Sequence, residues 1–303
     1  MKHGAIVIGV VNSKGGVGKT TISSNISHIL SVAGYKVLHA DFDPQGSSSE
    51  TFRAQDENGN MLTKDYILSL DIFKLLSEQT DTRKYIFRTA YTNLDIIPNA
   101  QRIDDIFMSG SFDVRFEKLE NPNKHRALYY NLCQVQNDYD YIIIDGQPNI
   151  NSMMEISIIA SDYVLSPAAP DIYNFSTVNN TCGIIDYCNQ QYGRDTEYLG
   201  FFLNGVSDLK DGAYSKLIDF YTERAKEYFI DIPIRYSKVV NKSRLSGMPW
   251  LEYGLNETVT LPNPCKDLLS LLYNELNLID EEHKERLIEL SKDRIKKEYF
   301  ERR

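Results

Sequence analysis

The residues best suited to chemistry lie in one short run, Lys14-Gly15-Gly16-Val17-Gly18-Lys19-Thr20-Thr21. It combines small residues with two lysines and two hydroxyls. Glycines let a backbone curl until successive N–H groups point at phosphate oxygens, and a helix opening near Lys19 adds its positive dipole end. The run follows the phosphate-loop pattern G-x-x-x-x-G-K-[ST] except at the first position, where Ser13 stands. The Lys19 amine can reach the β- and γ-phosphates, and the Thr20 hydroxyl can hold Mg²⁺. Lys14 brings a second cation close to the same anion.

Carboxylates follow at the ends of two apolar runs. Asp41 and Asp43 close KVLHADFD at residues 36–43. One residue apart on a strand they point in different directions, so they can have different tasks. Asp145 closes YIIID at 141–145. The carboxyl end of a buried strand is where open α/β sheets bind ligands, and a carboxylate there can hold a metal-bound water. A different chemistry is suggested between Ile232 and Leu251, a window without Asp or Glu that carries Arg235, Lys238, Lys242 and Arg244. Ser237, Asn241 and Ser243 add donors compatible with phosphate. The window is either a DNA-binding patch or an ordinary solvated loop.

These groups need a scaffold that brings strand ends together. Ala5–Val11 is β-branched and apolar, as a buried strand is. Ile22, Ile26, Ile29, Leu30 and Ala33 share one face of a helix over 20–33, with Gly34 as its C-terminal cap. Lys36–Asp43, Leu94–Pro98, Tyr141–Asp145, Asp162–Pro167 and Tyr198–Asn204 continue the strands, and helical stretches lie between most of them. This alternation predicts an α/β fold: a doubly wound, mostly parallel sheet with helices on both faces. Residues 53–64 and 108–125 read as loops. The segment 276–303 has eight acids and eight bases. Leu276, Ile279, Leu287 and Leu290 fall at helical spacing in it, which predicts a charged helical tail docked by a thin stripe beside a main domain of residues 1–275.

Composition narrows the class. Of 303 residues, 42% are apolar and 25% charged, which excludes a disordered or collagen-like chain. Lys+Arg is 33 against Asp+Glu 42, a net charge of −9, so any nucleic-acid contact must come from a local patch. Cys133, Cys182, Cys188 and Cys265 show no two-residue spacing, consistent with reduced thiols. The opening apolar run is too short for a signal peptide or a membrane span, which predicts a cytoplasmic protein.

The blocks KGGVGKTT, ADFDPQGSSS at 40–49, NLDIIPNA at 93–100, YDYIIIDGQP at 139–148 and GMPWLEY at 247–253 resemble the ParA/MinD superfamily of deviant Walker A ATPases. The resemblance is closest to ParA/Soj-type partition ATPases and covers residues 5 to about 273. It implies a P-loop NTPase fold and a slow, partner-stimulated, Mg²⁺-dependent ATPase. It implies that Lys14 reaches across a homodimer to the partner's ATP, that Asp43 orients the attacking water, and that Asp41 supports the Mg²⁺ region. Asn204 and Pro233 match positions that line the adenine, although Asn204 also reads as a simple strand-end residue. The resemblance further implies nonspecific DNA binding in the ATP state, association with the nucleoid, and a ParB-like DNA-binding partner. Gly146-Gln147-Pro148 departs from the family, which has Thr or Cys after the aspartate; Gln147 is either a water-orienting group or a plain loop residue. A MinD-like membrane-cycling regulator is the alternative. It needs a C-terminal amphipathic membrane helix, for which the stripe at 276–290 is thin, so no stable membrane association is expected. A metal-cluster carrier of the same superfamily needs paired cysteines, which are not seen. A DNA-binding scaffold that holds ATP without turnover is a third reading.

Overall fold

The computed structural model describes residues 4–43, 45–100, 112–147, 151–258, 260–291 and 294–300. Its strands are β1 (Ile6–Val10), β2 (Val37–Asp41), β3 (Phe87–Arg88), β4 (Leu94–Ile97), β5 (Tyr141–Asp145), β6 (Tyr163–Ala168), β7 (Glu197–Val206) and β8 (Ile234–Arg235). They form one sheet in the order β3-β4-β2-β5-β1-β6-β7-β8. Every pairing is parallel except β3 with β4. The doubly wound α/β sheet is therefore as expected, with short strands added at both edges.

The helices are α1 (Lys19–Ala33), α2 (Ser47–Phe52), α3 (Lys64–Leu68), α4 (Ile72–Ser77), α5 (Phe112–Glu117), α6 (Ala127–Cys133) and α7 (Ser152–Ala160). They continue with α8 (Asn174–Tyr192), α9 (Gly212–Arg224), α10 (Lys238–Leu245), α11 (Trp250–Glu257), α12 (Asn263–Ser270) and α13 (Glu281–Leu290). The stretch 108–125 is less irregular than the sequence suggests, because α5 and a 3₁₀ turn at Lys124–Arg126 lie within it; residues 108–111 fall outside the described residues.

Alternation along the central strands explains the two covered faces. Ile8, Val10, Ile96 and Ile143 pack with α1, α11 and α12. Val7, Leu38, Ile142 and Ile144 pack with α4, α6 and α7 on the other side. Neighbouring residues of a strand point to opposite faces, so a strand buried on both sides must be apolar throughout, as β5 is up to its last residue. The GMPWLEY block is held to α1: the Trp250 N–H donates to Asn25 Oδ1 at 2.7 Å. The Tyr91 hydroxyl donates to Glu252 at 2.6 Å.

The charged tail is a correction. Its stripe is not thin: Leu278, Ile279, Leu287, Ile295, Tyr299 and Phe300 are buried in the same apolar cluster as α1 and β1. The Tyr141 hydroxyl donates to Leu278 O at 2.9 Å, and the His283 ring stacks on Tyr35 at 3.7 Å. Leu290, expected on the stripe, is exposed. Packing runs across residue 275 without a break, so a chain ending there should not fold. Full burial of each such side chain is worth about 1.5–3 kcal/mol, and the loss of all of them is comparable with a domain's whole stability of about 5–15 kcal/mol. Truncation after residue 275 should abolish cooperative unfolding in a denaturant titration. Leu287→Ala alone should lower stability by about 2–5 kcal/mol. A truncated chain that unfolds cooperatively at the full-length midpoint would make the tail a separable unit.

Candidate nucleotide and metal site

Three central strands end at one place. Val10 pairs with Asp145 across β1 and β5, and Asp145 pairs with Asp41 across β5 and β2. The phosphate loop leaves β1 directly above them. Its start is fastened by Asn12, whose Nδ2 donates to Pro167 O at 2.8 Å while its Oδ1 accepts the Lys14 N–H at 2.8 Å. Further along, Lys19 Nζ donates to Lys14 O at 3.0 Å, and Asn204 Nδ2 donates to Val17 O at 2.8 Å. Gly18 has φ 93°, and a Cβ there would collide with the Asn204 amide. Only glycine suits that position on both counts. The loop from Gly15 to Gly18 thus arrives at α1 with Lys19, Thr20 and Thr21 in the first helical turn.

Electrostatics makes this spot unusual. Asp145 is completely buried and its carboxyl is held well above the normal range, by burial first and then by Asp41; hydroxyls of Thr20 and Ser23 oppose the shift. Asp41 is likewise buried, and burial pushes its carboxyl up to about 6 against hydrogen bonds from Ser49 and Ser48. Lys19 is 6% exposed. Burial lowers its pKa, while Asp145 and Asp43 pull it back up. A buried lysine between carboxylates and a row of loop N–H groups is a ready anion site.

The carboxylates divide their tasks. Asp41 is occupied by protein donors: Ser49 N at 2.9 Å, Ser49 Oγ at 2.7 Å and Asp43 N at 3.2 Å. Its carboxylate is thus already engaged by protein donors, so any support it gives the Mg²⁺ region comes through positioning. It anchors α2, whose entry at Gly46 (φ 65°) has no room for a Cβ against Asn99 O. Asp145 differs. Ser48 Oγ approaches its Oδ2 at 3.5 Å, and its Oδ1 is buried without a partner. An orphaned buried carboxylate oxygen beside Thr20 fits a cation. Among the described residues no group of three or more His, Cys, Asp or Glu side chains is placed to hold a metal. A Mg²⁺ here would be held through Thr20 and Asp145 with phosphate and water oxygens, as this ion commonly is. Asp43 is half-buried at the rim and accepts the Gln45 N–H at 3.0 Å. Gln147 follows β5 half-buried; Pro44 and Pro148 lie outside the described residues.

Lys14 turns its amine to Asp171, at 3.0 Å, with about two fifths of each side chain exposed. Asp171 lies in the β6–α8 loop, where its carbonyl accepts the Tyr221 hydroxyl at 2.7 Å. Asn204 and Pro233 sit at the ends of adjacent strands, since Asn204 pairs with Ile234. The Asn204 amide, however, fastens the loop. Sequence reading gave no role to Asn12, Ser48, Ser49 or Asp171. The Gly46-Ser47-Ser48-Ser49 run after Asp43 was a visible signal for the two serines; Asn12 and Asp171 had none.

In the basic window, Arg235 is corrected. Its guanidinium lies in a two-pronged pair with Asp267, Nε at 2.8 and 3.0 Å, and both side chains are largely buried. Lys238, Lys242 and Arg244 are exposed on α10 and form no ion pair among the described residues.

The raised carboxyls have a measurable sign. A carboxyl whose folded pKa is raised favours folding below its ordinary value near 4, and that contribution is lost as pH rises through the folded pKa. For Asp41 the loss falls between about pH 4 and 6; for Asp145 it extends higher. Buried His28 and His39, pushed down to about 3, have the opposite slope below their ordinary pKa, equally in any variant of Asp145. Asp145→Asn removes one charge of the buried pair. Without nucleotide or Mg²⁺ it should be more stable than the parent at pH 8, by an amount that shrinks towards pH 5. Denaturant titrations at the two pH values measure the difference. A gain independent of pH would deny the repulsion.

Residues 5–197, more than half of the chain, match the model of the AAA domain family AAA_31. The sporulation initiation inhibitor protein Soj of Bacillus subtilis is 27% identical over 80% of this chain and 87% of its own. Among solved structures, a Cyanothece McdA variant in complex with ATP superposes with a TM-score of 0.70 at 19% identity, covering 90% of this chain and 96% of that one. A plasmid partition protein of Borrelia burgdorferi bound to AMPPNP gives 0.66 at 19% identity, over 89% and 99% of the two chains; both likenesses are of fold. With the loop, the strand-end carboxylates and the sheet order on which they rest, these matches establish that the chain belongs to the AAA_31 family and is a P-loop ATPase of the ParA/MinD type.

Proposed function

We propose that this chain is a partition ATPase that binds Mg-ATP, pairs with a second copy of itself in that state, binds duplex DNA without sequence preference, and lets go on hydrolysis. The observation that carries the reading is the contrast between the two loop lysines. Lys19 is buried inside its own loop, whereas the Lys14 amine lies half-exposed at the rim on Asp171. A rim cation can serve an anion on another molecule. The similarity to Soj supports the same reading.

In this mechanism the loop N–H groups and Lys19 bind the β- and γ-phosphates. The adenine lies towards Asn204 and Pro233. A bound Mg²⁺ would supply neutralisation of the phosphate charge. Asp145 and Thr20 would hold it, and Asp41 keeps α2 and the Asp43 backbone in place. Asp43 accepts a hydrogen bond from the attacking water and aligns it with the γ-phosphorus. Phosphoryl transfer needs little more than such positioning and charge stabilisation. Lys14 of each copy leaves Asp171 for the other copy's phosphates. An exposed pair of that kind is worth at most about 1 kcal/mol, a small barrier to exchange. A ParB-like DNA-binding protein would be the stimulating partner, and the nucleoid the location of the ATP state.

The membrane-cycling alternative loses its main support. The apolar stripe of the tail is packed in the core rather than free to lie on a bilayer, and no helix among the described residues is long and apolar enough to cross a membrane.

Lys19→Ala should weaken Mg-ATP binding at least about tenfold in calorimetry, because charge-assisted contacts are worth about 1.5–3 kcal/mol each. Asp43→Ala should bind ATP as well as the parent, fail to cleave it, and remain dimeric. Lys14→Ala should bind ATP yet stay monomeric by light scattering, and the double variant should behave like Lys14→Ala. A dimeric Lys14→Ala, or parental turnover by Asp43→Ala, would remove the cross-subunit mechanism. For DNA, each of Lys238→Ala, Lys242→Ala and Arg244→Ala should lower the salt dependence of binding by about one unit, on any duplex. Arg235→Ala should act instead by destabilising the fold around Asp267. A triple variant of the exposed cations that holds DNA as tightly as the parent would make the patch a solvated helix and no more.

A further inference from the structure

Helix α10 presents more than charge. Lys238, Asn241, Lys242 and Leu245 fall at the spacing that shares one helical face, and all four are exposed. The opposite face is the one that packs: Ser243 is buried and Val240 lies against the main apolar cluster. Leu245 ends the helix at 86% exposure, the highest of any large apolar side chain among the described residues. It stands where Ser246 and Gly247 (φ 60°) turn the chain back towards the core. Tyr236, just ahead of the helix, is 53% exposed. Neither side chain belongs to any of the four apolar clusters. An isolated exposed leucine needs no explanation. This one continues a cationic ridge, at the end of the helix.

The chemistry favours a duplex over a bilayer as the occupant. A helix that lies on lipid inserts a whole apolar face, and the apolar face of α10 is already against the protein. A single apolar side chain flanked by phosphate-binding cations is instead the device by which minor-groove proteins pry open a base step. In a chain of net charge −9 the ridge is a local cluster of cations that form no ion pair among the described residues.

We propose that Leu245 is an apolar wedge that enters the minor groove of duplex DNA and partly unstacks one base step, while Lys238 and Lys242 hold flanking phosphates. The proposal rests on the DNA-binding reading above, narrows its lack of sequence preference to a lack of base readout, and adds two properties to it. Binding bends the duplex. Affinity also varies with the ease of unstacking, so flexible pyrimidine–purine steps are favoured over stiff A-tracts, without any base being read.

The test uses the full chain with ATP and Mg²⁺ and two duplexes of about 30 base pairs, one rich in TA steps and one an A-tract. Both are end-labelled for energy transfer and titrated over a range of salt. The parent should bind the TA duplex several-fold more tightly and shorten its end-to-end distance. Leu245→Ala should lose both effects and weaken TA binding by roughly tenfold, with the salt slope unchanged because no phosphate contact is removed. Leu245→Met should retain the bend. Lys242→Ala should lower the salt slope by about one on both duplexes and keep the preference. The exposure of Leu245 keeps these variants folded, and their unfolding midpoints should match the parent's. A Leu245→Ala protein that bends and prefers TA steps like the parent overturns the wedge, as does one that weakens both duplexes equally with the bend intact. Loss of binding to phosphatidylserine vesicles by Leu245→Ala, with DNA binding preserved, assigns the leucine to a membrane and overturns it too. A parent that binds DNA without bending it refutes only the wedge; a parent that binds neither duplex refutes the DNA reading itself.

Discussion

Parallel pairing of β2 with β5, in register to the last residue, forces Asp41 and Asp145 side by side at the strand ends, both wholly buried. Two carboxylates in so dry a place repel each other and lose hydration. Lys19, the nearby cation, is itself desolvated. Such an arrangement is unfavourable alone, because an imperfectly compensated buried charge is costly. Its natural completion is a cation against Asp145 and a polyanion against Lys19 and the loop N–H groups. Much of the surrounding structure serves this point. Asn12 and Asn204 hold the loop from both sides, Ser49 satisfies Asp41, and the packing of α1 on the sheet keeps Lys19 inside.

Around that rigid centre, the groups assigned to other molecules lie at the surface. Lys14 is on the rim, and Lys238 and Lys242 are on a short helix that follows the edge strand β8. β8 itself contributes Arg235, which ties the edge of the sheet to α12 through Asp267. The same window of sequence therefore contains both an anchor and a contact surface. A buried bidentate pair fixes the base of α10, so that its outer face can be used without loosening the fold.

The central site was legible because its chemistry is local. Lys14 to Thr21 lie in one run, and Asp41 and Asp145 each end an apolar stretch whose alternation could be read directly. What escaped reading depended on distant residues. Arg235 looked like its neighbours until Asp267, 32 positions on, was placed beside it. That the Asn204 amide also fastens the loop could not be read without Val17 O, 187 positions away. A π-helical turn at Leu271–Glu275, just before the tail, and a 3₁₀ turn at Lys297–Phe300 within it depart from the helical period. The dense charges among Leu287, Ile295, Tyr299 and Phe300 hid a core segment.

Charge density was a poor guide in both directions. The tail, with acids and bases in equal number, is structural: its apolar side chains complete the core, and Arg294 donates to Gly254 O. The basic window carries few charges, yet it stands out because the rest of the chain is acidic. For a polyanion approaching a protein of net charge −9, the average field is repulsive, and the cations of α10, unpaired among the described residues, offset it locally. Such a field sets orientation and encounter rate more than affinity. In the proposed function, short-range contacts at the patch would then decide how tightly a duplex is held. On α10 they come from two lysines, an arginine and the side chains that stand between and beyond them.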